Sequence, residues 1–213
     1  MNDETPKPRW WTRLLHRPGW LVALAVCLLL TAVLVPFGWR HYRARQLADE
    51  VRKAGGIVSF DPYGPEWIRS NLGDSWQIYF MVPARIHVGT GTFDDRYLHE
   101  IVLPLNELHE LTGLHVVDSK ISRSSFVELT RLKKLERLAI SGDNVDDKLL
   151  RQIGMFPNLR DLYLDNSQVT DEGLRHLSGL KNLESLSLSN TDVTDEGVSE
   201  LQRHLPGLEV SDD

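Results

Sequence analysis

Apolar positions along the chain fall into two regimes. From Trp20 to Phe37 the sequence WLVALAVCLLLTAVLVPF carries no charge over 18 residues. That length reaches the lower limit for a helix crossing a bilayer core. Trp20 and Trp39 bracket the run, with Trp10 and Trp11 just before it, and tryptophan suits both membrane–water interfaces. The end of the run, VLVPFGWR, offers no small-x-small cleavage site. The pattern therefore predicts an uncleaved transmembrane helix over 18–39, behind a basic tail at 1–17, rather than a signal peptide. Beyond it, Leu47, Val51 and Ala54 recur at helical spacing among charged residues, which predicts an amphipathic stem over 40–54. Gly55-Gly56 would stop that helix.

The second regime is periodic. Segments beginning at Leu111, Leu135, Leu159 and Leu183 align at intervals of 24 residues, and Leu208 restarts the pattern one residue late. Within one unit, Leu162 and Leu164 alternate as on a strand, so both point to one face. The same slots hold Leu114/Val116, Leu138/Ile140 and Leu186/Leu188. Val169 follows in a turn, matched by Ile121, Val145 and Val193. Leu174, Leu177 and Leu180 then recur at helical spacing. Each unit reads as strand, turn and helix with one apolar side, and only stacking of units makes a continuous core.

Two polar columns sharpen the register. After the turn aliphatic stand Ser122, Asp146, Thr170 and Thr194, all suited to accept hydrogen bonds from the unpaired N–H groups of a helix start. Asp171, Glu172, Asp195 and Glu196 add negative charge where the helix dipole is positive. The repeated VTDEG at Val169 and Val193 is thus explained structurally, and its acidic spacing does not match a calcium-binding EF-hand loop. Ser119, Asp143, Ser167 and Thr191 form a second column, expected to bond backbone groups of the tight turn. A degenerate unit precedes these, with Ile86 and Val88 in the strand slots, Phe93 in the aliphatic slot and Asp94 as the cap. Its spacing of 28 to the next unit implies an insertion.

These residues resemble leucine-rich repeats of the cysteine-containing, ribonuclease-inhibitor-like class. The whole arrangement resembles bacterial single-span membrane proteins with a short repeat domain. The resemblance covers most of residues 18–210 and includes a shared segment G-G-x-V-x-(Y/F)-D followed by G-P-x-W-(L/I)-R-x-x-L-G. Its counterparts here are Gly55, Gly56, Val58, Phe60 and Asp61, then Gly64, Pro65, Trp67, Ile68, Arg69, Leu72 and Gly73. It implies an α/β fold: a short right-handed leucine-rich-repeat solenoid over 85–213, with one parallel strand and one helix per repeat. An N-terminal cap over 55–84 and one transmembrane helix would precede it. Such a family supplies no catalytic residue to carry over. This chain departs from the pattern at Ile121-Ser122-Arg123, which lacks the Thr-Asp pair, and at Asp143, where Cys or a small residue is usual.

The cap follows from the open first repeat, whose core would otherwise face water. Ile57, Val58 and Phe60 supply a first strand. Pro65 suits the first turn of a helix, with Trp67, Ile68 and Leu72 as its apolar side and Gly73 as its stop. Asp61 and Arg69 orient the turn and helix.

Charge and chemistry narrow the function. Residues 1–54 carry a net charge of +5 and residues 55–213 a net charge of −11. The acidic part argues against nucleic acid, and the basic flanks suit anionic lipid around residues 18–39. The basic counts on the two sides of the run are nearly equal, but a short tail stays inside more easily than a folded domain. The C-terminal domain is therefore expected outside the cytoplasm. Cys27 is the one cysteine, so no intrachain disulfide, thiolate metal site or cysteine nucleophile arises. No nucleotide-binding, serine-hydrolase or zinc-protease motif occurs, and neither a cofactor nor a metal is implied. Strand residues between the core aliphatics face outward, so His87, His115, Ala139, Tyr163 and Ser187 form a strip. Arg137, Asp161 and Asp165 flank it, together with Ser185, Val117, Ser141 and Ser189. His87 and His115 become neighbours, but a metal would need a third ligand. The strip comprising His87, His115, Arg137, Asp161, Tyr163, Asp165 and Ser187 is the expected binding surface for a protein or peptide, or a glycan. A self-associating envelope scaffold is the alternative, motivated by the short tail after Val210 and an exposed sheet edge. An enzyme lacks a recognisable nucleophile–base pair.

Overall fold

The computed structural model describes residues 18–62, 81–88, 94–108, 111–116 and 121–212. It divides into two compact units, Met1–Tyr42 and Arg43–Asp213. The helix α1 (Pro18–Lys53) has 36 residues, with Pro36 inside it, and contributes to both. In the first unit its apolar side chains Val22, Val26, Leu28, Leu29 and Val35 are exposed. Among the described residues no helix is long and apolar enough to cross a membrane. Several side chains of the uncharged run, at positions 18–21, 33, 34 and 37, lie outside those described.

The second unit begins with the end of α1. Ala44, Leu47, Ala48 and Val51 lose all or nearly all contact with solvent and join one continuous core with the repeats. The segment expected to form a stem is therefore a covering element: its apolar stripe is the first layer of the core. Gly55 takes a left-handed conformation at φ 81°, and the Gly56 N–H donates to the Val51 carbonyl at 2.9 Å. A Cβ on Gly56 would lie 2.7 Å from Val51 Cγ1 and 2.8 Å from the His87 carbonyl oxygen. Glycine here lets the helix end tuck under the sheet.

Among the described residues seven strands follow in one sheet, ordered as in the chain. They are β1 (Ile57–Pro62), β2 (Met81–Val88), β3 (Gly113–Val116), β4 (Arg137–Ile140), β5 (Asp161–Tyr163), β6 (Ser185–Ser187) and β7 (Glu209–Ser211). β1 runs antiparallel to β2, with a register shift at Ser59/Phe60, and every later pair is parallel. The first strand is where Ile57, Val58 and Phe60 placed it, with Val58 buried and Phe60 partly buried against the core. The Arg52 guanidinium lies 5.2 Å from the centre of the Phe60 ring, tying the end of α1 to this strand. The expected lid helix with Pro65, Trp67, Ile68, Arg69 and Leu72 lies outside the described residues.

Helices return the chain between strands. The first, α2, joins Asp95–Tyr97, a π-helical turn Leu98–Val102 and Leu103–Leu108. The insertion implied by the 28-residue spacing falls in an elongated helix that contains one wide turn. The later helices are α3 (Arg123–Leu129), α4 (Asp147–Ile153), α5 (Asp171–Leu174, continued by the 3₁₀ turn Arg175–Leu177) and α6 (Asp195–His204). Ser122, Asp146, Thr170 and Thr194 cap them as expected, accepting from the N–H groups of Ser125, Leu149, Glu172 and Gly197. The second polar column behaves differently. Thr191 donates to the Leu188 carbonyl at 2.7 Å, but Asp143 is exposed and the buried Ser167 hydroxyl has no partner among the described residues. The tight turn instead relies on the positions just before, where Gly142, Asn166 and Asn190 take positive φ of 125°, 56° and 55°. Asn190 donates across to Asn166 at 3.0 Å.

One clasp links successive helix starts. The Asp147 carboxylate accepts from Thr170 N–H at 2.8 Å and its hydroxyl at 2.7 Å. Asp171 does the same for Thr194, at 2.8 and 2.7 Å, and the Thr194 backbone N–H and hydroxyl hold its carboxyl below the usual range. Asp95 accepts from Ser122 N–H at 2.7 Å. The clasp also explains the glycine of VTDEG: a Cβ on Gly173 or Gly197 would lie 2.2 or 2.1 Å from the preceding repeat's aspartate oxygen. Where the preceding repeat has Arg123 instead, the same position carries a full side chain, Leu149, and Arg123 pairs with the Asp146 carboxylate. Gly197→Ala should cost about 1–3 kcal/mol by overpacking. Combined with Asp171→Ala, the loss should be smaller than the sum of the two single losses, because both act on one contact. Urea unfolding of the four variants of this cycle measures it, and strict additivity would separate Gly197 from the clasp.

Candidate binding face

Strand alternation builds the face. Ile86, Leu114, Leu138, Leu162 and Leu186 are buried, so their neighbours along each strand point outward. The parallel registers align those neighbours into two rows. One runs Arg85–Gly113–Arg137–Asp161–Ser185, the other His87–His115–Ala139–Tyr163–Ser187. Adjacent members of a row stand one strand spacing apart, about 4.8 Å.

The rows enclose a basin of about 640 Å³ whose rim and floor include Arg85, His87, His115, Arg137, Tyr163 and Asp165. That volume lies within the usual range of ligand pockets, about 300–1,000 Å³. Gly113 and Ala139 form the low part of the floor. Gly113 must be small, because a Cβ there would lie 2.6 Å from Arg85 Cγ. Tyr163 is 40% exposed, an aromatic face open to a partner.

Of the seven residues expected on the strip, five line the basin: His87, His115, Arg137, Tyr163 and Asp165. The other two stand behind them as supports. Asp161 accepts from Arg137 Nε at 2.8 Å, which orients the guanidinium. Ser187 donates to Asp165 Oδ1 at 2.6 Å, and Ser189 N–H donates to the same oxygen at 2.9 Å. Val117 lies outside the described residues. Arg85 and Asn166, absent from the expected strip, also line the basin. Arg85 occupies the same outward slot as Arg137, two residues before His87 on β2, so strand alternation extended along β2 would have found it. Asn166 enters through its positive φ turn, for which the signal was the Gly142–Asn166–Asn190 column. Asp61, expected to orient the cap, pairs with Arg85 at 3.1 Å and so steadies the first wall of the basin.

The two histidines meet. Their Nδ1 atoms are 2.9 Å apart, with ring centres 5.0 Å apart and planes at 67°. One Nδ1–H donates and the other nitrogen accepts, so the contact requires that at least one ring be neutral. Burial, and next the charge on His87, hold His115 below its ordinary value of 6.5. Among the described residues no group of three or more His, Cys, Asp or Glu could hold a metal ion.

Residues 156–210 match the family described as "Leucine Rich repeats (2 copies)", so this part of the chain consists of leucine-rich repeats. No curated protein matches the chain. Among solved structures it is similar to an internalin from Listeria monocytogenes, with 28% identity over 52% of this chain and 30% of that one and a TM-score of 0.39. A leucine-rich-repeat protein from Leptospira interrogans is similar at 26% identity over 51% of this chain and 27% of that one, with a TM-score of 0.38. A Bacteroides fragilis protein is similar at 19% identity over 61% and 40% of the two chains, with a TM-score of 0.45. The chain spans under a third of the length of the first two.

The depressed His115 value carries a sign. The folded state disfavours the protonated ring, so this contribution to stability is full above the unfolded value near 6.5 and is lost as pH falls toward the folded value. Melting temperature should therefore decline as pH drops below about 6.5, and His115→Asn should flatten that decline. A wild-type and variant pair with the same slope between pH 7.5 and 5 would remove the histidine contact from the account.

Proposed function

We propose that this chain is a membrane-anchored recognition module that binds a protein or peptide partner on the outward face of its sheet, without catalysis. The basin carries this reading: an exposed tyrosine, two arginines and two histidines stand in register on a floor of glycine and alanine. Its charged groups are held by neighbours on adjacent strands, as Asp161 holds Arg137 and Asp61 holds Arg85. Such preorganisation reduces the ordering cost of binding, and repeat proteins present faces of this kind to partners. Photo-crosslinking of the full chain in its native membrane tests the face. Wild type should capture a partner that Tyr163→Ala loses or captures several-fold less. Identical capture by both would move the binding surface elsewhere.

The anchor is supported by the uncharged 18-residue run lying within α1. Val22, Leu24, Val26, Leu28, Leu29 and Leu30 are all at least 45% exposed. With Ala23, Ala25 and Cys27, which are also exposed, these positions at 100° per residue reach every side of the helix, and a helix apolar all round calls for an apolar medium. With the basic tail kept inside, the repeats would lie outside the cytoplasm. Alkaline carbonate washing of membranes should leave the chain in the pellet, and Val26→Arg/Leu29→Arg should release it. Wild-type protein in the wash would overturn the anchor.

A further inference from the structure

The two arginines of the basin stand in one row with only Gly113 between them. They are two strand spacings apart, about 9–10 Å at the backbone, and among the described residues the space over Gly113 is shared only with the stem of Arg85 itself, whose Cγ would meet a Cβ there at 2.6 Å. On one side of this gap the neighbouring row supplies the His87–His115 contact, then the small Ala139 and the open ring of Tyr163. Arg137 spends its Nε on Asp161 and leaves its terminal nitrogens without a partner among the described residues, on a side chain that is 56% exposed. Arg85 gives one terminal nitrogen to Asp61, while its Nε is shielded from solvent with no partner among the described residues. An unsatisfied buried donor of this kind is costly, and an acceptor entering the gap would relieve it after a small shift of the guanidinium. The opposite side of the basin carries the acceptors: Asp161 is committed to Arg137, and Asp165 to Ser187 and Ser189. The donor surplus is therefore confined to the β2–β4 side.

We propose that the β2–β4 side of the basin takes a carboxylate carried by the bound peptide, with Arg137 and Arg85 as its donors, and that the His87–His115 pair takes up a proton when it binds. The inference rests on the recognition reading above and names the group recognised. Planar guanidinium groups match carboxylate geometry with paired hydrogen bonds. The histidine contact supplies the pH dependence. Arg85 on β2, Arg137 on β4 and the contact itself disfavour a second positive charge there. Asp61 on β1, Asp161 on β5 and Asp165 beyond it are already engaged, and Tyr163 and Ser59 of β1 bring only hydroxyl groups. A ligand carboxylate in the gap offsets that repulsion, so binding and protonation favour each other. Affinity then rises as pH falls through the histidine range.

Full chain in detergent micelles, with ¹⁵N-labelled arginine and histidine, tests this by NMR. The probes are three acetylated tetrapeptides: Ala-Ala-Glu-Ala amide, Ala-Ala-Gln-Ala acid and Ala-Ala-Gln-Ala amide. At least one carboxylate-bearing peptide should shift the Arg137 and Arg85 Nε–H signals saturably, and which one does so separates a side-chain from a C-terminal carboxylate. Its affinity should be roughly three- to tenfold higher at pH 5.5 than at pH 7.5, up to the tenfold per pH unit that one linked proton allows. His115→Asn should flatten this dependence, Arg137→Gln should weaken binding at least tenfold, and the neutral amide should leave the signals in place. Equal binding of the neutral amide would overturn the carboxylate while sparing the recognition face. Tighter binding of inorganic phosphate than of either acidic peptide would overturn it in favour of a phosphate group. No saturable shift, alongside Tyr163-dependent capture of a partner in membranes, would overturn this inference alone. Loss of both would overturn the recognition reading with it.

Discussion

Leu114, Leu138, Leu162 and Leu186 stand side by side across four parallel strands, each 24 residues after the last. Everything else in the second unit depends on that register. A strand of three or four residues contributes few hydrogen bonds and one or two buried aliphatics, far too little to fold alone. Lateral stacking turns these fragments into a continuous wall, and burial of each leucine then contributes about 1.5–3 kcal/mol. A shift of one residue in any strand would send its aliphatics outward and its polar neighbours into the core. The clasp of Asp147 to Thr170 and of Asp171 to Thr194 guards the register from the opposite side of the repeat. It couples each helix start to the next, so strand and helix are aligned by independent contacts.

The same constraint makes the outward face of the sheet. Once the leucines are committed inward, the intervening residues have no choice of side, and their distances follow from strand spacing. Arg137 reaches Asp161, Arg85 reaches Asp61 and Asp165 reaches Ser187 because each pair sits on adjacent strands or just beyond their ends. The basin is deep where the row members are glycine and alanine and walled where they are arginine, histidine and tyrosine. The chemistry of this face is a by-product of a periodic core, varied repeat by repeat on the outward positions alone.

This separation also explains what the sequence disclosed. Apolar periodicity is strong and local, so the strands, the helix starts and the His87–His115 neighbourhood could be read directly. The helix caps were legible because Ser, Thr and Asp have a specific task at one position. Side-chain clasps between repeats were not, because Asp171 reads as a favourable charge at its own helix start. Its second task, under Thr194, emerges only when two repeats are stacked. The glycine of VTDEG was opaque for the same reason. The turn column was misassigned by one place: Ser167 and Asp143 look like turn-bonding residues, while backbone conformation puts the demand on Asn166 and Gly142. Leu47 and Val51 were seen as one side of an amphipathic helix, but periodicity cannot say what covers that side.

That covering role changes what α1 does for the fold. An open solenoid end exposes the aliphatic wall of its first repeat, and the end of α1 sets Ala44, Leu47, Ala48 and Val51 into the same core as Ile86 and Val88. Ala44 and Ala48 are four residues apart, and small side chains there permit a close approach of the helix to its neighbours. Gly56 then permits the turn back into β1, because only a residue without a Cβ passes between Val51 and the His87 carbonyl. That carbonyl belongs to a residue of the basin. The packing that closes the core at this end therefore fixes the backbone from which His87 projects, and through it the geometry of the His87–His115 contact. Looser packing at Val51 or a side chain at position 56 would be felt at the basin through a single strand.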